Sequence, residues 1–249
     1  MVTMSESQPV LLLTGASRGI GHATVKLFQE RGWRVLTVSR QAFSPLCRWP
    51  NARESHIQAD LGDLSSLSAL AEDVRGRLAD GRLHALINNA GISPKGPEGK
   101  RLGVIDSDAA LWTQVLNVNL ISTALLARAL LPELERAGGS IVNVTSIAGS
   151  RVHPFAGVAY AASKAALAAL TREMAHEFGG RGVRANAIAP GEIDTAILSA
   201  GTDALVSAEV PMQRLGRPEE VAKTIYFLCT DASSYVNGAE VHINGGQHV

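Results

Sequence analysis

The sequence predicts an α/β fold in which one parallel sheet is doubly wound, with helices on both of its faces. Three observations predict it. Short apolar runs alternate with longer amphipathic ones almost from end to end, the pattern of repeated strand–helix–strand units. A glycine-rich turn, TGASRGIG, follows the first apolar run directly and opens the first helix. No linker-like change of composition, internal repeat or low-complexity tract breaks the rhythm, so residues 1–249 are expected to form a single domain.

Taken in order, VLLL (Val10–Leu13) is the first strand, and a helix follows from about Ile20 to Glu30. WRVLTV (Trp33–Val38) and SHIQA (Ser55–Ala59) are the second and third strands. A polar-and-leucine helix over Leu64–Leu78 leads to the fourth strand, HALIN (His84–Asn88). One long helix is expected from near Ala109 to Glu135, with Pro132 tolerated only near its end. SIVNVTS is the fifth strand, Ala156–Phe178 a long helix and VRANAIA the sixth strand. The last helix starts after Pro218, and AEVHI closes the chain as a short strand. Two segments depart from this rhythm: Ile92–Asp108, rich in Gly, Pro and charge, and Glu192–Glu220, mixed in character. Both follow strand C-termini, the edge where such sheets bind ligands.

Composition narrows the functional classes. The chain carries 23 Lys+Arg against 23 Asp+Glu, so no global field draws it to nucleic acid or to an acidic membrane. Hydrophobic residues make up 46% of the chain, which suits a large core and some burial in an oligomer. Cys47 and Cys229 lie far apart without metal-ligand spacing and read as free thiols of a reducing compartment. VLLL is too short for a signal-peptide core or a membrane span, so a cytoplasmic protein is expected. The seven histidines are scattered, and no metal site is expected.

The glycines of TGASRGIG are Gly15, Gly19 and Gly21, a G-x-x-x-G-x-G spacing. Glycines there permit a tight turn, close backbone approach to a pyrophosphate and tight helix–strand packing. The free N–H groups at the helix N-terminus then face phosphate. Together with NNAG (Asn88–Gly91), YAASK (Tyr160–Lys164) and PGEIDT (Pro190–Thr195), in this order, the turn resembles the short-chain dehydrogenase/reductase family, single-domain branch. The likeness extends from about Val10 to Gly246 and includes the family's 3-oxoacyl-acyl-carrier-protein reductase-like members. It implies a Rossmann-like sheet of about seven strands.

The same resemblance implies a nicotinamide dinucleotide, held at the turn by Gly15, Ser17, Arg18, Gly19, Ile20 and Gly21. At the end of the second strand stand Ser39 and Arg40, with no carboxylate for the ribose hydroxyls. Arg40, with Arg18, suits the extra phosphate of NADP(H), which is therefore favoured, with NAD(H) as the alternative. Asp60 matches the position that contacts adenine, with Leu61 beside it; Asp60 also reads as a helix N-cap. Asn88, Ala90 and Gly91 match the segment that stabilises the sheet and passes the adenosine ribose. Pro190, Gly191, Ile193 and Thr195 match the segment that holds the nicotinamide amide.

Tyr160 and Lys164 stand four residues apart, which on a helix places them on one face. A phenol of pKa about 10 ionises poorly at neutral pH, and a nearby ammonium favours the phenolate and is expected to lower that value. The pair therefore makes sense as an acid–base couple. By resemblance Lys164 also bonds the nicotinamide ribose, Ser146 orients the substrate oxygen and Asn119 holds a proton-relaying water. Thr145 is the neighbour of Ser146 that strand alternation turns to the other face. Asn117 is the neighbour of Asn119, for which a structural role in a helix kink stays open.

These readings converge on an NADP(H)-dependent oxidoreductase of a small-molecule carbonyl/alcohol pair, working as a homotetramer or dimer by resemblance. A 3-oxoacyl-acyl-carrier-protein reductase is the narrower alternative, but its acidic partner calls for a basic entrance. Lys95, Lys100 and Arg101 supply charge there, while Glu98 and Glu192 dilute it. A non-catalytic dinucleotide-binding regulator would need the glycine turn without the Asn119, Ser146, Tyr160 and Lys164 set.

Overall fold

The computed structural model describes residues 8–42, 51–195, 198–199 and 201–249. Cys47 lies outside them, as do Ala196 and Ile197. Seven strands form one all-parallel sheet in the order β3-β2-β1-β4-β5-β6-β7. They are β1 (Val10–Thr14), β2 (Arg34–Ser39), β3 (His56–Gln58), β4 (Ala85–Asn88), β5 (Ser140–Val144), β6 (Arg184–Pro190) and β7 (Glu240–Ile243). The order runs outward from β1 in one direction and from β4 in the other. The reversal lies between these two strands, whose last paired residues are Thr14 and Asn88. A crevice at the C-terminal ends of such diverging strands is where open α/β sheets bind ligands.

The β1 run is apolar from Val10 to Leu13 because both of its faces are covered. Leu12, Leu36 and Leu86 pack against α2 (Leu67–Arg77), α4 (Ser122–Ala137) and α5 (Val158–Gly179). Leu11, Leu13, Val35 and Ile87 pack on the opposite face, against α1 (Gly19–Glu30) and α7 (Pro218–Leu228). Alternate residues of each strand thus serve two separate cores. Leu61, expected beside an adenine ring, instead places its side chain in the first of these cores, 7% exposed.

Three elements differ from expectation. The long helix is not uniform: α3 (Ala109–Leu116) and α4 are joined by a π-helical turn, Asn117–Ile121, before the helix passes Pro132 and stops at Gly138 with φ 59°. Its stretch Ala109–Ala137 is long and apolar enough to cross a membrane by length and composition alone. Its Leu126, Leu130 and Leu134 are buried in the core, which accounts for that apolarity. The second helix starts as a 3-10 turn, Leu64–Ser66, capped by Asp63, whose carboxylate accepts the Ser65 N–H at 3.1 Å. Asp60 is therefore not the cap. Finally, the segment after Thr195 contains a helix, α6 (Thr202–Glu209), whose Leu205 and Val206 are buried.

Candidate active site

The glycine turn joins β1 to α1 at the reversal point. Gly15 and Gly19 adopt φ of 73° and 54°, left-handed values that side chains resist. A Cβ on Gly15 would come within 2.8 Å of Ala90 Cα, and one on Gly21 would overlap the Gly15 carbonyl oxygen. These glycines therefore let the turn close on itself and on the end of β4. Helix α1 has no side-chain cap and no acidic residue in its first turn, so its leading N–H groups stay available to an anion. Ser17 and Arg18 are exposed on the turn.

Arg18 and Arg40 line one cavity of about 750 Å3, and neither forms an ion pair among the described residues. Arg40 extends from the end of β2, where the Ser39 hydroxyl donates to the Gln41 carbonyl at 3.0 Å. Arg40 also borders an adjoining cavity of about 550 Å3 with Asp60, Thr113, Gln114 and Val118. Asp60 accepts the Gly62 N–H at 2.9 Å, which holds this corner. A flat heterocycle with phosphate groups on one side fits this combination of a shallow recess and two uncommitted guanidinium groups.

The end of β4 divides its two asparagines. Asn88 is 4% exposed and donates to Asn143 Oδ1 of β5 at 2.9 Å, so its side chain ties the sheet together and does not line the cavity. Asn89, which the sequence did not single out, donates to the carbonyls of Thr14 and Gly15 at 3.1 and 2.8 Å and does line it. Ala90 donates its N–H to the Thr14 hydroxyl at 3.1 Å. Gly91 follows close against Lys164 and Asn119: a Cβ there would lie 3.4 Å from Lys164 Nζ and 3.5 Å from Asn119 Oδ1, in contact with both.

Asn119 sits in the π-helical turn and is 1% exposed. Its Oδ1 accepts the Ile92 N–H at 2.8 Å, while Nδ2 donates to the Ile92 carbonyl and the Ser163 hydroxyl, both at 3.0 Å. It therefore clamps the chain leaving β4 to α5. Asn117 faces elsewhere, toward the Gly62 carbonyl at 3.3 Å.

Tyr160, Lys164 and Ser146 line the same cavity as Arg18 and Arg40. Lys164 is 3% exposed and donates to the Val144 carbonyl at 2.6 Å, the last residue of β5. Burial lowers its pKa to about 8. Its Nζ lies 5.6 Å from the Tyr160 ring centroid. Ser146 caps the short turn after β5, accepting the Ala148 N–H at 3.2 Å, and its hydroxyl also interacts with the Tyr160 phenol. Thr145 is turned away, with its hydroxyl 2.7 Å from the Ile188 carbonyl and 2.6 Å from Glu240 Oε1.

The phenol differs from expectation. Tyr160 has its pKa raised: burial is the main cause, the Ser146 hydrogen bond partly counters it, and the Glu192 carboxylate adds to the rise. Lys164 alone does not lower it, because its ammonium is itself desolvated and committed to a carbonyl.

The segment after β6 closes the cavity. Pro190 ends the strand, and a Cβ on Gly191 would come within 2.6 Å of Asn244 Cβ. Ile193 is 5% exposed and bridges to Gly216 through its neighbours' bonds: Gly216 N–H to the Glu192 carbonyl at 2.9 Å and Asp194 N–H to the Gly216 carbonyl at 2.8 Å. That leaves the Ile193 N–H and carbonyl outside the bridge. Thr195 lies against Gly19, so this strap crosses the glycine turn. No group of His, Cys, Asp and Glu suited to a metal occurs among the described residues.

The sheet order and the cavity at its reversal point define a Rossmann-like dinucleotide-binding protein. A family model described as enoyl-(acyl carrier protein) reductase matches residues 15–248. The chain is 58% identical over 241 residues to protein FixR of Bradyrhizobium diazoefficiens, covering 96% of this chain and 87% of that protein. It is 34% identical to a 3-oxoacyl-acyl-carrier-protein reductase of Thermotoga maritima, covering 95% and 96%. A crystal structure of a short-chain oxidoreductase from Brucella ovis with a partially ordered NAD is 56% identical, with a TM-score of 0.83, covering 95% of this chain and all (100%) of that one. The chain belongs to the short-chain dehydrogenase/reductase family, whose members are oxidoreductases that act on CH–OH/C=O pairs with nicotinamide dinucleotides.

Proposed function

We propose that the chain is an NADP(H)-dependent oxidoreductase of a ketone/secondary-alcohol pair, with Tyr160 as general acid and base. The observation that carries this reading is the shared cavity: two uncommitted arginines at one end and Tyr160, Ser146 and Lys164 at the other. When bound, the dinucleotide supplies or accepts the hydride. The protein's own groups handle the oxygen. The Ser146 hydroxyl and the Tyr160 phenol converge on the place a carbonyl oxygen would take. Tyr160 gives its proton to that oxygen during reduction and recovers it during oxidation. Lys164, anchored on Val144, holds a positive charge near the phenol and lies beside Gly91, where a nicotinamide ribose would meet it. Asn119 is a positioning residue: by clamping Ile92 to Ser163 it fixes α5, and with it Tyr160, against the end of β4. A raised phenol pKa favours the acid form, which suits reduction.

The preference for NADP(H) rests on Arg18 and Arg40 and on the absence of a carboxylate at the end of β2. The relative with bound NAD supports the competing assignment, so both dinucleotides belong in the test. In this reading the chain is one domain that assembles as a homotetramer or dimer in the cytoplasm, where the buried Cys229 stays a free thiol. Oxidation of NADPH by a panel of ketones provides the experiment. Tyr160→Phe is expected to lower turnover about 100- to 10,000-fold while dinucleotide binding persists. Unchanged turnover would refute the assignment of the acid.

A further inference from the structure

One pair of side chains in the cavity enters the chemistry above only through the charge of Glu192, which adds to the rise of the Tyr160 pKa. Glu192, 9% exposed, lines the cavity and accepts from His153 Nε2 at 2.6 Å. The imidazole's other nitrogen, Nδ1, accepts the Phe155 N–H at 3.2 Å. The carboxylate is thus oriented through one oxygen. Among the described residues its other oxygen, Oε2, has no hydrogen-bond partner. Lys95 also lines the cavity, but its ammonium donates to the Phe155 carbonyl and forms no ion pair with Glu192.

The supports of this carboxylate come from separate parts of the chain. The backbone of Glu192 is pinned to Gly216, His153 meets Phe155 edge-on at 5.9 Å between centroids, and Phe155 packs near Gly201 at the start of α6. A carboxylate so oriented, within electrostatic reach of Tyr160, would be left without solvent or partner by an alkyl group seated against it. It would be satisfied by a hydroxyl or an ammonium.

We infer that Glu192, positioned by His153, is a specificity residue that selects substrates bearing a hydrogen-bond-donating group, hydroxyl or ammonium, beside the reacting carbon. The inference rests on the oxidoreductase reading for the identity of the reacting carbon. It sets the site apart from one shaped for unsubstituted acyl chains.

The test is calorimetric binding to the protein saturated with oxidised dinucleotide, which needs no turnover. Probes are matched sets of secondary alcohols whose members differ only in a methyl, hydroxyl or ammonium group, carried on an arm of one to a few carbons beside the carbinol carbon. In the best-fitting set the hydroxyl or ammonium member is expected to bind roughly 10-fold or more tightly than the methyl member. Glu192→Leu should abolish that preference. Glu192→Gln, which keeps the shape, should lose an ammonium preference and retain a hydroxyl one, and it serves if the leucine variant does not fold. Methyl members that bind as well at every length, or a preference that survives both substitutions, would overturn the inference. Hydride transfer to the matching ketones separates the two readings. A Glu192-dependent preference without any transfer would leave the inference standing and remove the oxidoreductase reading. Transfer that favours methyl members would do the reverse.

Discussion

The two ends of the cavity are built on different principles. At the dinucleotide end, backbone makes the shape: Gly15 and Gly19 in left-handed conformations, the ends of β1 and β4, and the uncapped start of α1. At the substrate end, side chains make it: Lys95, His153, Phe155 and Glu192, with Ser199 and Thr202 at the start of α6. The first end is assembled within one turn of chain and its nearest neighbours. The second draws on four segments that meet only in the folded molecule. Geometry made by backbone tolerates few residues, whereas geometry made by distant side chains can be varied without disturbing the sheet.

That contrast can be broken most severely at Gly21. Replacing a helical glycine by a larger residue gains about 1 kcal/mol or less of helix propensity. The new Cβ would overlap the Gly15 carbonyl, and overpacking typically costs about 1–3 kcal/mol. Gly21→Val should therefore lower the thermal midpoint and abolish dinucleotide binding, measured by fluorescence titration. Gly76, with no atom near its would-be Cβ, is the control: Gly76→Ala should not destabilise the protein.

A smaller effect is expected at Arg40, which touches only the ligand end. Loss of one charge-assisted contact of about 1.5–3 kcal/mol predicts roughly 10- to 100-fold weaker NADPH binding in Arg40→Ala, with NADH little changed. Equal losses for both dinucleotides would remove the phosphate assignment. Smaller still is the ionisation of Tyr160 in the dinucleotide-free protein. Burial and Glu192 raise its pKa, so the phenol stays protonated through neutral pH and ionises only above the ordinary tyrosine range of about 10. An ultraviolet titration compared with Tyr160→Phe should show the missing component above that range, and a component below it would contradict the geometry.

How much of this was legible in the sequence follows the same division. The central strands β1, β2 and β4 could be read because each is built on a short apolar run, and the glycine turn because its spacing is local. Tyr160, Ser146 and Lys164 were legible through motif order, and the structure brings them to one cavity. His153 was not legible: it is one of seven histidines, and its partner Glu192 is distant in sequence. Asn88 and Asn89 are adjacent and identical in type, and only strand alternation decides which one joins the sheet network and which meets the cavity. The π-helical turn that aims Asn119 leaves no mark in hydrophobic periodicity, and α6 was hidden by its small residues. The direction of the Tyr160 shift is not legible from the Lys164 charge, because burial, which the sequence does not display, desolvates both groups.

The most direct measurement follows deuterium from the nicotinamide C4 of labelled NADPH in a single turnover with a ketone drawn from the panel. The account predicts deuterium on the carbinol carbon of the product for the wild type, and strongly slowed transfer in Tyr160→Phe despite bound dinucleotide. NADPH oxidised without label in the alcohol, or label transferred by the variant at the wild-type rate, would contradict it.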